Sequence, residues 1–217
     1  MDFPITPGQC TYVRKIQSHK PIVVVNGPAG SGKSFLACQE AFIKIQKREL
    51  EKVILTRPIV AADEDMGYLP GELERKMEPW AKPMVEIMEM YMSRNQIENR
   101  VSIEPLGFMR GRTFTDAFII ADEMQNSTPN QMQMLLTRVG ENTKLIVTGD
   151  TRQSDLDKLN GLEDFINKIQ SLELDYVEYT NLGEEDVVRH PAVSEILSLY
   201  YNQTCSNTIV AGSSLYP

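Results

Sequence analysis

Short runs of aliphatic and β-branched residues punctuate this chain, separated by longer stretches in which apolar positions recur with helical spacing. Six runs read as strands, at residues 21–25, 52–56, 101–103, 117–121, 144–148 and 175–179. Most are continuous in Val and Ile rather than alternating with polar residues, which is the pattern of strands covered on both faces in a parallel sheet. The helical spacing predicts helices over 33–50, 79–97, 130–139 and 162–172. Strands alternating with helices in this way predict an α/β doubly wound domain. Within 79–97, Met84 and Met88 lie one turn apart beside Val85 and Tyr91, as core filler or as an adaptable partner surface. Pro79 and Pro83 set the expected start of that helix. Internal repeats and low-complexity blocks are not found, so one domain is expected over residues 1–203. Residues 204–217 hold no charged side chain and much Ser, Thr and Gly, and are expected to form a flexible tail or a docking strand, with no function assigned.

Composition narrows this picture only in places. With 217 residues and 41% hydrophobic content, the chain can bury a full core. Its net charge of −8 argues against broad adhesion to nucleic acid or anionic membrane. A local basic groove remains compatible with it, because exposed charges are screened within about 8–10 Å. No apolar run approaches the roughly 18–20 residues of a membrane span. Met1-Asp2-Phe3-Pro4 has neither the basic nor the apolar region of a leader. Cys10, Cys38 and Cys205 are widely spaced and read as free thiols, and His19 and His190 lack neighbours at metal-ligand spacing. A cytoplasmic protein without membrane contact is expected.

The first chemical motif is Gly27-Pro28-Ala29-Gly30-Ser31-Gly32-Lys33-Ser34, a full match to G-x-x-x-x-G-K-[ST]. A predicted strand runs into it and a predicted helix leaves it. Phosphate oxygens must lie against backbone N–H groups, which glycines permit, and the helix N-terminus adds positive partial charge beneath them. Lys33 supplies an ammonium for the β and γ oxygens of ATP, and Ser34 a hydroxyl for Mg2+.

A phosphate loop of this kind needs an acid to hold the metal. The run Phe118-Ile119-Ile120-Ala121 ends in Asp122-Glu123. Neighbouring side chains on a strand diverge, so the two carboxylates take different tasks. Asp122 is assigned to the Mg2+ shell and Glu123 to polarising the attacking water, unless the pair merely caps the next helix. Further on, a strand ends in Gly149-Asp150 and Gln153 follows in the loop. Gln153 suits a γ-phosphate sensor, although a plain turn explains that pattern equally well when it is taken alone.

Together these residues resemble the PhoH family of ATPases, itself similar to the first RecA-like domain of superfamily-one helicases. The match runs through Pro7-Gly8-Gln9, the phosphate loop and Leu55-Thr56-Arg57-Pro58. It continues in Gly67-Tyr68-Leu69-Pro70-Gly71, Met109-Arg110-Gly111-Arg112-Thr113, Asp122-Glu123-Met124-Gln125-Asn126 and Leu136-Thr137-Arg138. Residues 149–153 and Asp186-Val187-Val188-Arg189-His190-Pro191 complete it. Met124 stands where the family usually has Ala. The resemblance implies a P-loop NTPase of RecA-like, three-layer architecture with a mainly parallel central sheet, and an adenine-reading role for Gln9 unless that residue is a surface amide.

It also raises the question of a charge-neutralising arginine. The helicases take theirs from a second RecA-like domain, for which this chain is too short. Arg189 and Arg138 are the candidates for donation across a subunit boundary, each equally readable as an ordinary ion-paired Arg. A homo-oligomeric ring, a hexamer in the first instance, is expected. Arg57, Arg110 and Arg112, with Phe108, Tyr68 and Trp80 as stacking faces, are the candidates for single-stranded RNA, against an ion-paired network around the nucleotide. An RNA-coupled ATPase, an ATP-gated binding module and a small-molecule kinase are the three function classes in view. Glu123 suits water as the acceptor and so disfavours the kinase.

Overall fold

The computed structural model describes residues 6–58, 72–156, 159–188 and 192–193. The chain divides into a compact unit, Met1–Val187, and a second one, Val188–Pro217. The predicted domain end at 203, the tail 204–217 and Cys205 lie outside the described residues, as do Tyr68, Arg189 and His190 and the side chain of Trp80.

In the first unit the elements follow as α1 (Pro7–Gln17), β1 (Ile22–Asn26), α2 (Lys33–Gln46), β2 (Lys52–Thr56), α3 (Glu72–Glu89), α4 (Arg94–Arg100), β3 (Val101–Ile103), β4 (Ala117–Ala121), α5 (Pro129–Leu136), β5 (Lys144–Gly149), α6 (Gly161–Ile169) and β6 (Val177–Asn181). The six strands form one parallel sheet in the order β3-β2-β4-β5-β1-β6. Successive strand residues face opposite sides of the sheet. Val23, Val25, Leu55, Phe118, Ile120 and Ile146 pack with Tyr12, Leu36, Ala41, Met84 and Met88 from α1, α2 and α3. Val24, Ile54, Ile119, Leu145 and Val147 pack with Met132, Leu135, Leu162 and Ile166 from α5 and α6. The result is the expected three-layer α/β architecture, in which full burial of each Leu or Ile contributes about 1.5–3 kcal/mol. Met84, Met88 and Met92 are core residues, whereas Met90 is exposed.

Several boundaries move for identifiable reasons. Helix α1, absent from the predicted set, is capped by Thr6, whose side chain accepts from the Gln9 backbone while the Gln9 side chain accepts from the Thr6 backbone. Helix α2 stops at Gln46, and Arg48 just beyond it is left-handed at φ 58°. The segment predicted as one helix over 79–97 is two. Helix α3 starts earlier and runs through Pro79 and Pro83, and Ser93 with Gln96 forms a new capping box that opens α4. Strand β6 lies two residues beyond its predicted place, in parallel register with β1 from Ile22↔Val177 to Asn26↔Asn181. Among the described residues no helix is long and apolar enough to cross a membrane.

Candidate functional site

In a parallel sheet with crossover helices, ligands meet the loops at the carboxyl ends of the strands. Here β1 feeds the phosphate loop, β4 leads into Asp122, and β5 lies between them. Register places Asn26 beside Gly149 and Ala121 beside Val147. The pairing continues past the strand ends, with Gly27 N–H donating to Gly149 O at 3.1 Å and Asp122 N–H to Thr56 O at 2.9 Å. Three chemically distinct loops therefore leave one edge side by side.

The phosphate loop turns tightly. Gly30 and Gly32 take φ of 85° and 82°, a region costly for any residue with a Cβ. Ser31 closes the turn by donating through Oγ to Pro28 O at 2.7 Å. Lys33 Nζ donates to Gly27 O at 2.7 Å and Pro28 O at 2.9 Å. Burial lowers the Lys33 ammonium from its usual range, opposed by the charges of Asp150, Asp122 and Glu123. Ser34 Oγ donates to Asp122 Oδ1 at 2.8 Å. Thr148 Oγ1, from the end of β5, donates to the same carboxylate oxygen. A hydroxyl and a carboxylate in contact match what Mg2+ takes from protein when phosphates and waters fill its other positions. Ser34 and Asp122 are accordingly the residues that would hold it.

Glu123 is left-handed at φ 55° and opens the short 3-10 turn Met124–Asn126. The Gln125 side chain donates to the Glu123 carboxylate and accepts the Asp150 N–H at 3.2 Å. Asn126 and Asp155 exchange two bonds of 2.9 Å, and Ser154 Oγ donates to Gln125 O at 3.0 Å. The loop after β5 is thereby fastened to the turn after β4. Gln153, in that loop, is exposed and donates through Nε2 to Asp150 Oδ2 at 2.9 Å.

Gln9 is fully buried. Its Nε2 donates to Ser31 O and Asp186 O, both at 3.2 Å, and its Oε1 accepts the Thr6 N–H at 3.3 Å. The amide thus braces the phosphate loop against the chain after β6, and an adenine contact would require those bonds to be exchanged. Asp186, also buried, accepts from Thr6 Oγ1 and from Gly183 N–H.

Of the predicted arginines, Arg57, Arg110, Arg112 and Arg138 lie among the described residues. Arg57 follows β2 at the same carboxyl edge as Asp122. Arg110 is exposed on the crossover from β3 to β4. Arg112, on that crossover, pairs with Glu104 at 2.7 Å and lies over the Phe114 ring at 4.6 Å. Phe108 is exposed there. Arg138 leads from α5 toward the amino end of β5, and its guanidinium donates to Met134 O, Arg112 O and Thr137 Oγ1, each at 2.9 Å.

Sequence reasoning passed over Thr148, Gln125 and Asp186 as site residues. Gln125 and Asp186 sat inside motifs read for their neighbours, and Thr148 looked like one more strand residue. Nothing local signals that Asp186 meets Thr6 or that Thr148 meets Asp122, and the bond that fastens Gln125 to the loop after β5 is made to Asp150, 25 positions on.

A three-layer domain with a phosphate loop after β1, and an acidic pair just beyond a strand one removed from it, defines a P-loop ATPase fold. The chain belongs to the PhoH family: the family model described as PhoH-like protein matches residues 3–201. It is 39% identical over 199 residues to a PhoH-like protein of Synechocystis, an alignment covering 88% of this chain and 60% of that one. A PhoH-like protein of Bacillus subtilis is 39% identical over 205 residues, covering 91% and 63%. The chain therefore spans about three-fifths of the length of these curated relatives. Among solved structures, the large terminase ATPase domain of a Thermus phage aligns at TM-score 0.51 and 14% identity, covering 88% of this chain and 86% of that one, a likeness of fold.

Proposed function

We propose that this chain binds ATP with Mg2+ and hydrolyses it to ADP and phosphate, that turnover is coupled to single-stranded RNA, and that it acts in the cytoplasm as a homo-oligomeric ring, a hexamer in the first instance. The observation that carries the ATPase reading is the 2.8 Å bond from Ser34 Oγ to Asp122 Oδ1. It joins the phosphate loop to the strand-end acid, with Glu123 one residue on. In this reading the loop amides, Lys33 and the N-terminus of α2 hold the triphosphate. Mg2+, when bound at Ser34 and Asp122, supplies neutralising charge at the β and γ oxygens. Glu123 accepts a proton from water as the water oxygen bonds to the γ-phosphorus. The bond from that phosphorus to the bridging β–γ oxygen breaks and its electron pair leaves on ADP. Gln153 orients the water, and Arg189 is the candidate for donation across a subunit boundary. Arg57, Arg110 and Arg112 are the candidates for the RNA backbone.

A second reading, an ATP-gated module with slow hydrolysis that recruits partners, is favoured by Arg138 and Arg112, whose guanidiniums are already engaged within the chain. Steady-state ATP turnover with and without single-stranded RNA, beside a Glu123→Gln control, separates the two. Stimulation by RNA that vanishes in the control supports the coupled ATPase. Slow turnover indifferent to RNA supports the module, and turnover surviving Glu123→Gln removes Glu123 from the mechanism.

A further inference from the structure

The loop after β5 carries a cation across the end of β1. Strands β5, β1 and β6 are neighbours in that order. Adjacent strands lie about 4.8 Å apart, so β5 and β6 stand roughly 10 Å apart with the phosphate loop issuing between them. Arg152, in the loop after β5, pairs through Nη2 with Glu184 Oε1 at 3.0 Å, and Glu184 lies in the loop after β6. Arg152 Nε also stands 3.5 Å from Asp150 Oδ1. The side chain thus bridges the loops on either side of β1. A frame below keeps the span in register: Thr151 N–H donates to Asn26 Oδ1 at 3.0 Å, and Asn26 Nδ2 donates to Asn181 Oδ1 at 2.8 Å. Both partners of the outer pair are open to solvent, with side chains 60% and 67% exposed. Such a pair holds its members weakly, whereas a phosphate offers Arg more charge and a matching two-pronged geometry.

We propose that Arg152 is a catalytic residue supplied from within the chain: it leaves Glu184 for the terminal phosphate oxygens of bound ATP, and Glu184 holds it between turnovers. This rests on the ATP-hydrolysis reading above and departs from it at one point: Arg152 takes the charge-neutralising part given there to Arg189, and the cation then needs no neighbouring subunit. Sequence reasoning missed Arg152 because it occupies an unassigned position between Asp150 and Gln153.

The test compares Arg152→Ala and Glu184→Gln for affinity toward ADP and a non-hydrolysable ATP analogue, and for single-turnover hydrolysis. Arg152→Ala is expected to weaken the analogue about tenfold, leave ADP unchanged and slow hydrolysis on the order of 10²–10⁴-fold. Mixing it with Lys33→Ala chains is expected to restore nothing. Glu184→Gln frees the cation and is expected to tighten the analogue. Equal losses in both variants would mark a structural ion pair and overturn the proposal. Recovery on mixing would assign the cation to a neighbouring subunit and overturn it as well. Failure of the unmutated chain to bind the analogue removes the ATPase reading together with this one, whereas binding that Arg152→Ala leaves intact removes this one alone.

Discussion

Gln125 donates its side-chain amide to the carboxylate of Glu123, two residues before it in the chain. The same side chain accepts the backbone N–H of Asp150, so one buried amide ties the acidic turn to the loop after β5. It fits there because residue 149 has no side chain. A Cβ on Gly149 would stand 2.6 Å from Gln125 Oε1 and 2.6 Å from Leu162 Cδ2. Glu123 is held in a left-handed backbone, a conformation that costs about 1–3 kcal/mol and persists only where its surroundings impose it. The orientation of the carboxylate is therefore set by β4, by the turn after it and by the loop after β5 together.

Gln125→Met keeps the volume and removes both bonds. Turnover is expected to fall about 10–100-fold through loss of orientation, with ADP affinity unchanged. Gly149→Ala reaches the same amide by crowding it, and is expected to cost about 1–3 kcal/mol of stability as well as turnover. Steady-state kinetics beside nucleotide titration and urea unfolding check both. Wild-type turnover in Gln125→Met would mean that Glu123 is oriented without it.

The phosphate loop and the acidic pair were legible in the sequence because their constraints are local. Each residue of 27–34 answers to its own turn, and Ile119 and Ile120 announce a strand buried on both faces. The sheet was legible for the same reason, down to the short β3. What escaped depends on partners far away in the chain. Gln9 reaches Ser31 across 22 positions and Asp186 across 177, so its burial under the phosphate loop is written in neither neighbourhood. The start of α3 was missed because prolines at 79 and 83 are common in a first turn, yet the helix tolerates both. The break before α4 was visible as Ser93-x-x-Gln96, a signal that helical periodicity alone passes over.

At the amino edge of the sheet, Lys144 is buried and donates to Ser18 O at 2.8 Å and Lys20 O at 2.5 Å. Burial lowers its ammonium to about 8, helped by Lys44 and opposed by Glu178. In the unfolded chain a lysine titrates near about 10.4. Between those values the unfolded state binds more protons, so stability rises with pH through that window. Below about 8 both states are protonated, and the penalty for burying the charge is present in full. The stability of Lys144→Met is expected to climb less steeply than that of the unmutated chain between about pH 8 and 10. Urea unfolding across that range reads the difference in slope, and equal slopes would mean that the ammonium is solvated.

Arg138 separates a structural cation from a donated one. Three bonds of 2.9 Å engage its guanidinium, and its carbonyl accepts the Phe114 N–H at 3.0 Å. The residue thus closes the end of α5 and pins the crossover before β4 to the entry of β5. Removing a charged donor from carbonyls already assembled around it costs about 1–3 kcal/mol, which lowers Tm by roughly 2–10 °C in a chain of this size. Arg138→Ala is accordingly expected to melt earlier while the turnover of the folded protein stays within about twofold, since the lost bonds lie at the far end of α5 from Glu123. An Arg reaching a neighbouring site in a ring gives the reverse result, an unchanged Tm with turnover reduced by about 10³-fold or more. Melting and turnover measured on the same preparation decide between them, because each reading predicts a loss where the other predicts none.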